Sequence, residues 1–256
     1  MSNLLLSSYR TGLTVFSLGA GQDSEYGFFS IWDQSFQREY IGTNDLIIVF
    51  SHTGREKIRP PNFQSDYLFT YEGLKFLQDY FYAHKQELPF KAYFFVITHE
   101  SSASILQDHG IRFITKYFST NTLFSDKWAS ITTNYKRNST IGMLHSRSRA
   151  CTLNLKIMPI YRLVSDFIAH HYGYTEKRKK NLIHFANYHG KIDMLIFFTA
   201  EEKKRKFAIK LSYPLIDMNF TRESIQFAIK ELGHPPIHSL SVRYMPLSDR
   251  FTIRVF

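Results

Sequence analysis

Three histidines follow apolar stretches whose pattern predicts buried strands. His52 ends "IIVFSH", His99 ends "FFVITH", and His145 ends the weaker stretch "GMLH". If these strands run parallel, their carboxyl ends meet at one edge of a sheet, where the three imidazoles can share a site. The neighbouring groups that would bind a phosphate or help to move a proton are Arg55, Glu100, Ser101 and Arg147. This pattern indicates an α/β hydrolase or transferase that acts on a phosphorylated or acidic small substrate.

The same histidines also have a purely structural interpretation. A histidine is a natural polar end to a buried strand, and the chain contains 11 histidines, so some coincidence is expected. The shared site is therefore one hypothesis about these residues, and a structural role is the alternative.

Asp193 and Lys210 form a second arrangement that could do chemistry. Metal-dependent nucleases of the restriction-endonuclease type need a carboxylate on one strand and an acid-x-Lys on the next. Two oxygens then hold a divalent ion such as Mg²⁺, while the lysine supports the attacking water. The stretches "KIDMLIFF" and "KFAIKLS" supply Asp193 and Lys210, but Ala208 stands where the second acid is needed. Glu223, from the next predicted helix, could take the place of that acid.

The positive charge of the chain is concentrated in its middle. From Lys127 to Lys210 there are 17 Lys and Arg against five acids, an excess of twelve, whereas the net charge of the whole chain is +10. Such a segment favours a polyanionic partner, and we expect DNA or RNA. The candidate nucleic-acid-binding residues are Lys136, Arg137, Arg147, Arg149, Lys177, Arg178, Lys179 and Lys180. A nucleic-acid-binding protein, possibly a nuclease, is thus the preferred interpretation, and a non-catalytic interaction module is a further alternative.

Other signatures are weak or absent. The chain contains no G-x-S-x-G elbow, no Walker loop and no H-E-x-x-H motif. The stretch "RKKNLIH" has the arginine-to-histidine spacing of some helical ribonucleases, but the surrounding pattern is not all-helical. Cys151 is the only cysteine, which excludes an intramolecular disulfide and a cysteine-based zinc site. "GAGQDSEYG" (19–27) lacks the glycine spacing of a dinucleotide-binding loop, and with no helix expected after it we interpret it as a turn.

The elements that would position these residues predict a mixed α/β fold. Apolar runs at 45–51 and 92–98 are typical of strands covered on both faces, and residues 71–88 between them have helical periodicity. A short helix ending at Gly110 and a third strand, "IRFITKYF", are expected next. This strand–helix–strand core predicts a partly parallel sheet.

The two flanks of this core have different patterns. Residues 1–44 predict short antiparallel strands, "LTVFSLG", "FFSIWD" and "REYIG". The second half predicts a helix at 159–173, a hairpin formed by "KIDMLIFFTA" and "KRKFAIKLS", a helix at 221–233 and a final hairpin. We therefore divide the chain into N-terminal strands (1–44), an α/β core (45–125) and a basic α+β portion (126–256), which could be continuous with the core.

Length and composition set the broad class. At 256 residues and 44% hydrophobic composition, the chain can bury a substantial core in one domain or two. Its apolar runs are too short to cross a bilayer, and its start lacks the features of a signal peptide. We expect a cytoplasmic protein without a membrane partner. The sequence leaves the oligomeric state open.

Overall fold

The fold is built on a five-stranded parallel sheet. The computed structural model describes residues 12–54, 56, 58–117, 120–121, 153–173, 192–197, 200 and 210–237. Its strands are β1 (Leu13–Leu18), β2 (Asp45–Ser51), β3 (Ala92–Ile97), β4 (Lys116–Tyr117), β5 (Thr120–Asn121), β6 (Ile192–Leu195) and β7 (Lys210–Ser212). The sheet has the order β3-β2-β1-β6-β7, and every neighbouring pair in it is parallel. The sequence-based prediction of a mixed α/β fold is confirmed.

Helices cover both faces of this sheet. They are α1 (Gln22–Ser30), α2 (Gln34–Phe36), α3 (Thr70–His84), α4 (Ala103–Asp108), α5 (Met158–Tyr172), α6 (Pro214–Asp217) and α7 (Arg222–Glu231). Short π-helical turns at Gln37–Ile41 and Leu153–Ile157 and 3₁₀ turns at Lys85–Glu87 and Glu100–Ser102 adjoin them. The two-layered cover explains why the apolar run 46–50 is buried along its whole length.

Alternate residues of each strand enter different cores. On one face, Phe16 of β1 and Ile48 of β2 pack in a cluster with residues of α1, α3, α4 and α7. On the other face, Val15 and Ile47 pack in a cluster with residues of α5. This alternation follows from the two-residue period of a strand, and it leaves the carboxyl ends of the strands between two helical layers.

Several helices begin and end where their capping residues predict. Thr221 accepts a hydrogen bond from the amide of Ser224 at the start of α7, and Gly233 follows that helix with φ +69°. Gly173 follows α5 and Gly110 follows α4, also at positive φ. The helices predicted within 71–88, 159–173 and 221–233, and the short helix before Gly110, are confirmed.

Three local predictions were wrong. Strand β1 is parallel to both its neighbours rather than part of an antiparallel meander, and "FFSIWD" and "REYIG" are mainly helical. The third strand expected at "IRFITKYF" is reduced to β4, which pairs only with β5 among the described residues. Strands β6 and β7 are parallel neighbours and do not form the expected hairpin. The final hairpin lies outside the described residues, and the division of the chain at 44 and 125 stays a prediction.

In the part of the chain that the structure describes, none of the helices has the length and apolar character needed to cross a membrane.

Candidate functional site

The order of the strands singles out one place at the carboxyl edge of the sheet. From β1 the chain moves outward to β2 and β3, and it then returns to the opposite side of β1 with β6 and β7. The strand order thus reverses between β1 and β6, which makes the carboxyl ends of these two strands the topological switch point of the sheet. Open parallel sheets bind their ligands at such a switch point.

The turn between β1 and α1 lies at this switch point. It consists of Gly19, Ala20 and Gly21, and Ala20 has φ +48°. The amide of Gly21 donates to Ser24 Oγ (3.1 Å), and the same hydroxyl donates back to the Gly21 carbonyl oxygen (2.9 Å). These two bonds fix the turn locally, and they hold the first turn of α1 directly against the end of β1.

The N-terminus of α1 has no side-chain cap, since its N-cap residue is Gly21. The first amides of a helix lack partners within the helix, and they carry the positive end of its dipole. A helix that begins in this way beyond a parallel strand is suited to bind an anion such as a phosphate.

Gly21 also leaves room for close approach. A Cβ atom added there would meet no heavy atom of the described residues within 4 Å, and the φ of Gly21 is −128°, which any residue can adopt. The open space at this position is therefore not required by local packing or by backbone conformation. It is the space through which a bound group could reach the backbone.

The interpretation of residues 19–27 as a turn with no helix after it was wrong, because α1 begins at Gln22 within this stretch. The strand was expected at "FFSIWD" because aromatic residues favour strands. Gly27 is tolerated inside the helix because the ring of Phe197 occupies the space of its missing side chain: a Cβ atom there would lie 2.2 Å from that ring. Packing against β1 and the β6 end thus overrides the local preference.

His52 lies at the end of β2 and is fully buried. Its amide donates to the Ile97 carbonyl oxygen (2.9 Å), which continues the pairing of β2 with β3. Its Nδ1 is hydrogen-bonded to Thr98 Oγ1 (2.8 Å) and its Nε2 to the Tyr71 hydroxyl (2.8 Å). Burial lowers the pKa of His52 to about 4, so the ring is neutral near pH 7. The imidazole therefore joins β2, β3 and the start of α3.

His99 lies one strand further along the same edge and is also buried. Burial lowers its pKa to about 4 as well, and its charge in turn disfavours protonation of His52. His52 and His99 thus follow adjacent parallel strands at one edge of the sheet, whereas His145 lies outside the described residues. Glu100, predicted beside them, is exposed at the start of the 3₁₀ turn after β3. Catalytic roles for these residues stay predictions.

The loop from β2 to α3 follows His52, and hydrogen bonds hold its described residues to the start of α3. Arg59 binds the Glu72 carboxylate through two hydrogen bonds (2.8 and 2.7 Å) and also donates to the carbonyl oxygen of Tyr67 (3.0 Å). Glu72 in turn accepts from the Phe69 amide at the start of α3 (3.0 Å). The hydrogen bonds from Arg59 are the main cause that lowers the pKa of Glu72. Sequence reasoning missed these hydrogen bonds, although a glutamate in the first turn of a predicted helix is a known capping signal.

Asp193 and Lys210 lie in a different part of the sheet. They are direct register partners on β6 and β7, and Asp193 is also the partner of Thr14, the second residue of β1. This level is near the amino ends of the strands, roughly 13 Å from the end of β1 at about 3.3 Å per residue. The structure therefore does not bring this pair together with His52 and His99. A nuclease role for Asp193 and Lys210 stays a prediction.

The basic residues predicted to bind nucleic acid all lie outside the described residues. This applies to Lys136, Arg137, Arg147, Arg149, Lys177, Arg178, Lys179 and Lys180. Within the described ranges, no group of three or more His, Cys, Asp or Glu side chains could hold a metal ion. Comparison with known proteins gives no relative: no family model matches the chain, and neither a curated protein nor a solved structure does.

Proposed function

We propose that this protein binds a mononucleotide through its phosphate groups at the carboxyl edge of the sheet, and acts on it as a transferase or hydrolase. The observation that carries the proposal is the uncapped N-terminus of α1, which follows β1 directly at the topological switch point. The order of β3, β2 and β1 supports it, because the first mononucleotide-binding half of doubly wound folds has its three strands in that order, with the later strands on the other side of the first.

The anion-binding part of the site is backbone rather than side chain. The amides of the first turn of α1 and the open space at Gly21 supply donors and close approach, as a phosphate group requires. His52 and His99 follow the two strands next to β1, and His99 is roughly 10 Å from the β1 end at about 4.8 Å per strand. We assign His52 a positioning role, because both of its ring nitrogens are hydrogen-bonded to Thr98 and Tyr71. For His99 and Glu100 we propose a part in proton transfer.

Isothermal titration calorimetry with ATP, inorganic pyrophosphate and adenosine tests the proposal. We expect ATP and pyrophosphate to bind, and adenosine to bind at least about tenfold more weakly than ATP, which corresponds to about 1.4 kcal/mol. Each titration is run with and without MgCl₂, because Mg²⁺ commonly binds together with substrate phosphates. Equal affinity for ATP and adenosine, or no binding of any of the three, would contradict the proposal.

The charge of the segment from Lys127 to Lys210 supports nucleic-acid binding as a second candidate function. Phosphate contacts of Lys and Arg release counterions, so affinity for DNA or RNA would fall steeply as salt rises. Filter binding at two salt concentrations, with and without magnesium, measures this. Replacing Lys136, Arg137, Arg147 and Arg149 by alanine should weaken binding broadly, and unchanged affinity in that variant would remove this function.

A further inference from the structure

Three side chains in the first turn of α1 are held by one distant segment of the chain. Gln226 Nε2 donates to Gln22 Oε1 (3.3 Å), and the Arg222 guanidinium lies 4.0 Å from Asp23 Oδ2. The amide of Ile237 donates to Glu25 Oε2 (2.8 Å). All three partners belong to residues 221–237, which we call the strap.

The strap is itself firmly anchored. Ile225 and Ile229 of α7 are fully buried in the core beneath α1 and α3. Ile237 is also fully buried, and it packs so closely on α3 that a Cβ atom added at Gly73 would lie 2.7 Å from its side chain. Because the strap is packed into the core, its contacts can hold the first turn of α1 in a fixed position relative to the core.

The strap also connects α1 to the end of the loop between β2 and α3. Leu68 pairs with Ile237 as an isolated parallel bridge, and the Leu68 amide donates to the Pro236 carbonyl oxygen (2.9 Å). Ile237 thus contacts both the end of this loop and the Glu25 carboxylate. Ile237 therefore links the first turn of α1 to the loop that follows His52.

The contact at Glu25 is unusual for the first turn of a helix. Glu25 is fully buried, and its Oε1 atom has no hydrogen-bond partner among the residues that the structure describes. Burying a carboxyl group costs free energy unless hydrogen bonds compensate for the lost contacts with water. Its hydrogen bond to the Ile237 amide is what ties the strap to α1.

From these contacts we infer that the strap positions the first turn of α1 for ligand binding, with Gln226 and Glu25 as positioning residues. The inference rests on the proposed function, because it assigns a purpose to the placement of the phosphate-binding amides. Small displacements matter at such a site, since a bound group must be held to within about 0.5 Å.

The test compares Gln226→Ala with Lys230→Ala, which lies one helical turn further along α7. Both residues are exposed, so neither substitution disturbs the core. We expect Gln226→Ala to weaken ATP binding about three- to tenfold, with a melting temperature equal to that of Lys230→Ala. We also expect hydrogen exchange to rise about tenfold at the amides of residues 25–28, the first to donate within α1. Lys230→Ala should change neither quantity.

A second test compares a conservative and a disruptive substitution of Glu25. Glu25→Gln keeps an oxygen that can accept from the Ile237 amide, so it should bind ATP as the wild type does. Glu25→Leu removes the acceptor and should bind ATP at least about tenfold more weakly, with faster exchange in α1. Equal ATP affinity in the glutamine and leucine variants would overturn the role of Glu25.

Hydrogen exchange separates failure of the strap from failure of the proposed function. If the wild type binds no ATP but Gln226→Ala still accelerates exchange in α1, the positioning role stands and the proposed function fails. If the wild type binds ATP, and Gln226→Ala and Lys230→Ala match it in both affinity and exchange, the strap inference is overturned alone.

Discussion

At the amino edge of the sheet, polar side chains close the structure by pairing with one another, whereas at the carboxyl edge one helix begins with a glycine in place of a capping side chain. Asn44 donates to the buried Thr14 hydroxyl (3.1 Å), and the Tyr172 hydroxyl donates to Asp45 Oδ2 (2.6 Å). At the other edge, α1 begins without a side-chain cap. Hydrogen bonds thus close the amino edge, and under the proposed function the ligand binds at the carboxyl edge.

Helix α5 connects the two edges. The carbonyl oxygen of Leu155, just before this helix, accepts from the Ser51 hydroxyl at the end of β2 (2.8 Å), and the last residue of the helix is Tyr172. Helix α5 therefore contacts both edges of the sheet. The stability and ligand affinity of variants at one edge can be compared with those of variants at the other. The four predictions that follow make this comparison.

The largest effect is expected for His52→Ala. The substitution leaves the hydroxyls of Thr98 and Tyr71 without their partner and creates a cavity in a fully buried position. We expect a loss of about 4 kcal/mol in the free energy of unfolding, measured by urea denaturation. The exposed His170→Ala serves as the control and should change stability by less than about 0.5 kcal/mol. A small effect of His52→Ala would mean that the carboxyl edge is less constrained than its hydrogen bonds indicate.

The pH dependence of stability should differ in sign between Glu25 and the histidines. Burial raises the pKa of Glu25 from 4.5 to about 7, so its contribution to stability is complete below pH 4.5 and is lost as pH rises to 7. The pKa values of His52 and His99 are lowered from 6.5 to about 4, so their contribution is complete above pH 6.5 and is lost as pH falls toward 4.

Glu25→Gln isolates the first of these contributions. Relative to the wild type, this variant should gain about 3 kcal/mol in the free energy of unfolding between pH 4.5 and pH 7, at about 1.36 kcal/mol per pKa unit. Urea denaturation of both proteins at the two pH values measures the gain. A difference between the two proteins that is independent of pH would show that Glu25 ionises normally.

Gly21→Ala and Gly42→Ala contrast a glycine at each edge. The added methyl group at Gly21 fits the fold but fills the space for the ligand, so ATP affinity should fall at least about tenfold while stability falls by less than about 1 kcal/mol. Gly42 precedes β2 at φ +62°, so alanine there should cost at least about 1 kcal/mol of stability through backbone strain and leave ATP affinity unchanged. Calorimetry and urea denaturation of both variants check the contrast, and equal affinities would contradict it.

The smallest effect is expected for Tyr172→Phe. This substitution removes the hydrogen bond to Asp45 at a partly buried position of the amino edge and leaves the ring in place. We expect a loss of about 1 kcal/mol in the free energy of unfolding, with no change in ATP affinity. A change in affinity would show that the two edges are coupled through α5.

The central elements could be predicted from the sequence because their signals are local. Strands β2 and β3 are continuous apolar runs, and α7 is marked by Thr221 at its start and Gly233 after its end. The direction of β7 could not be predicted in the same way. The charged stretch "EEKKRK" before it resembles a hairpin turn, but β7 is paired parallel to β6.

The site was predicted in part. Placing His52 and His99 at one sheet edge needs only the parallel arrangement of their strands, and this could be inferred from the sequence. The partners of His52 could not, because Tyr71 is 19 and Thr98 is 46 positions away along the chain. The helix after Gly21 was missed for a related reason, since Phe197, which packs against Gly27 of this helix, lies far away along the chain.

The hydrogen bond between Glu25 and Ile237 spans 212 positions of the chain. During synthesis on the ribosome, the first turn of α1 emerges long before the residue that holds it. The growing polypeptide therefore cannot form this hydrogen bond until residue 237 has left the exit tunnel, so the first turn of α1 gains this contact only after all five strands of the sheet have been synthesised.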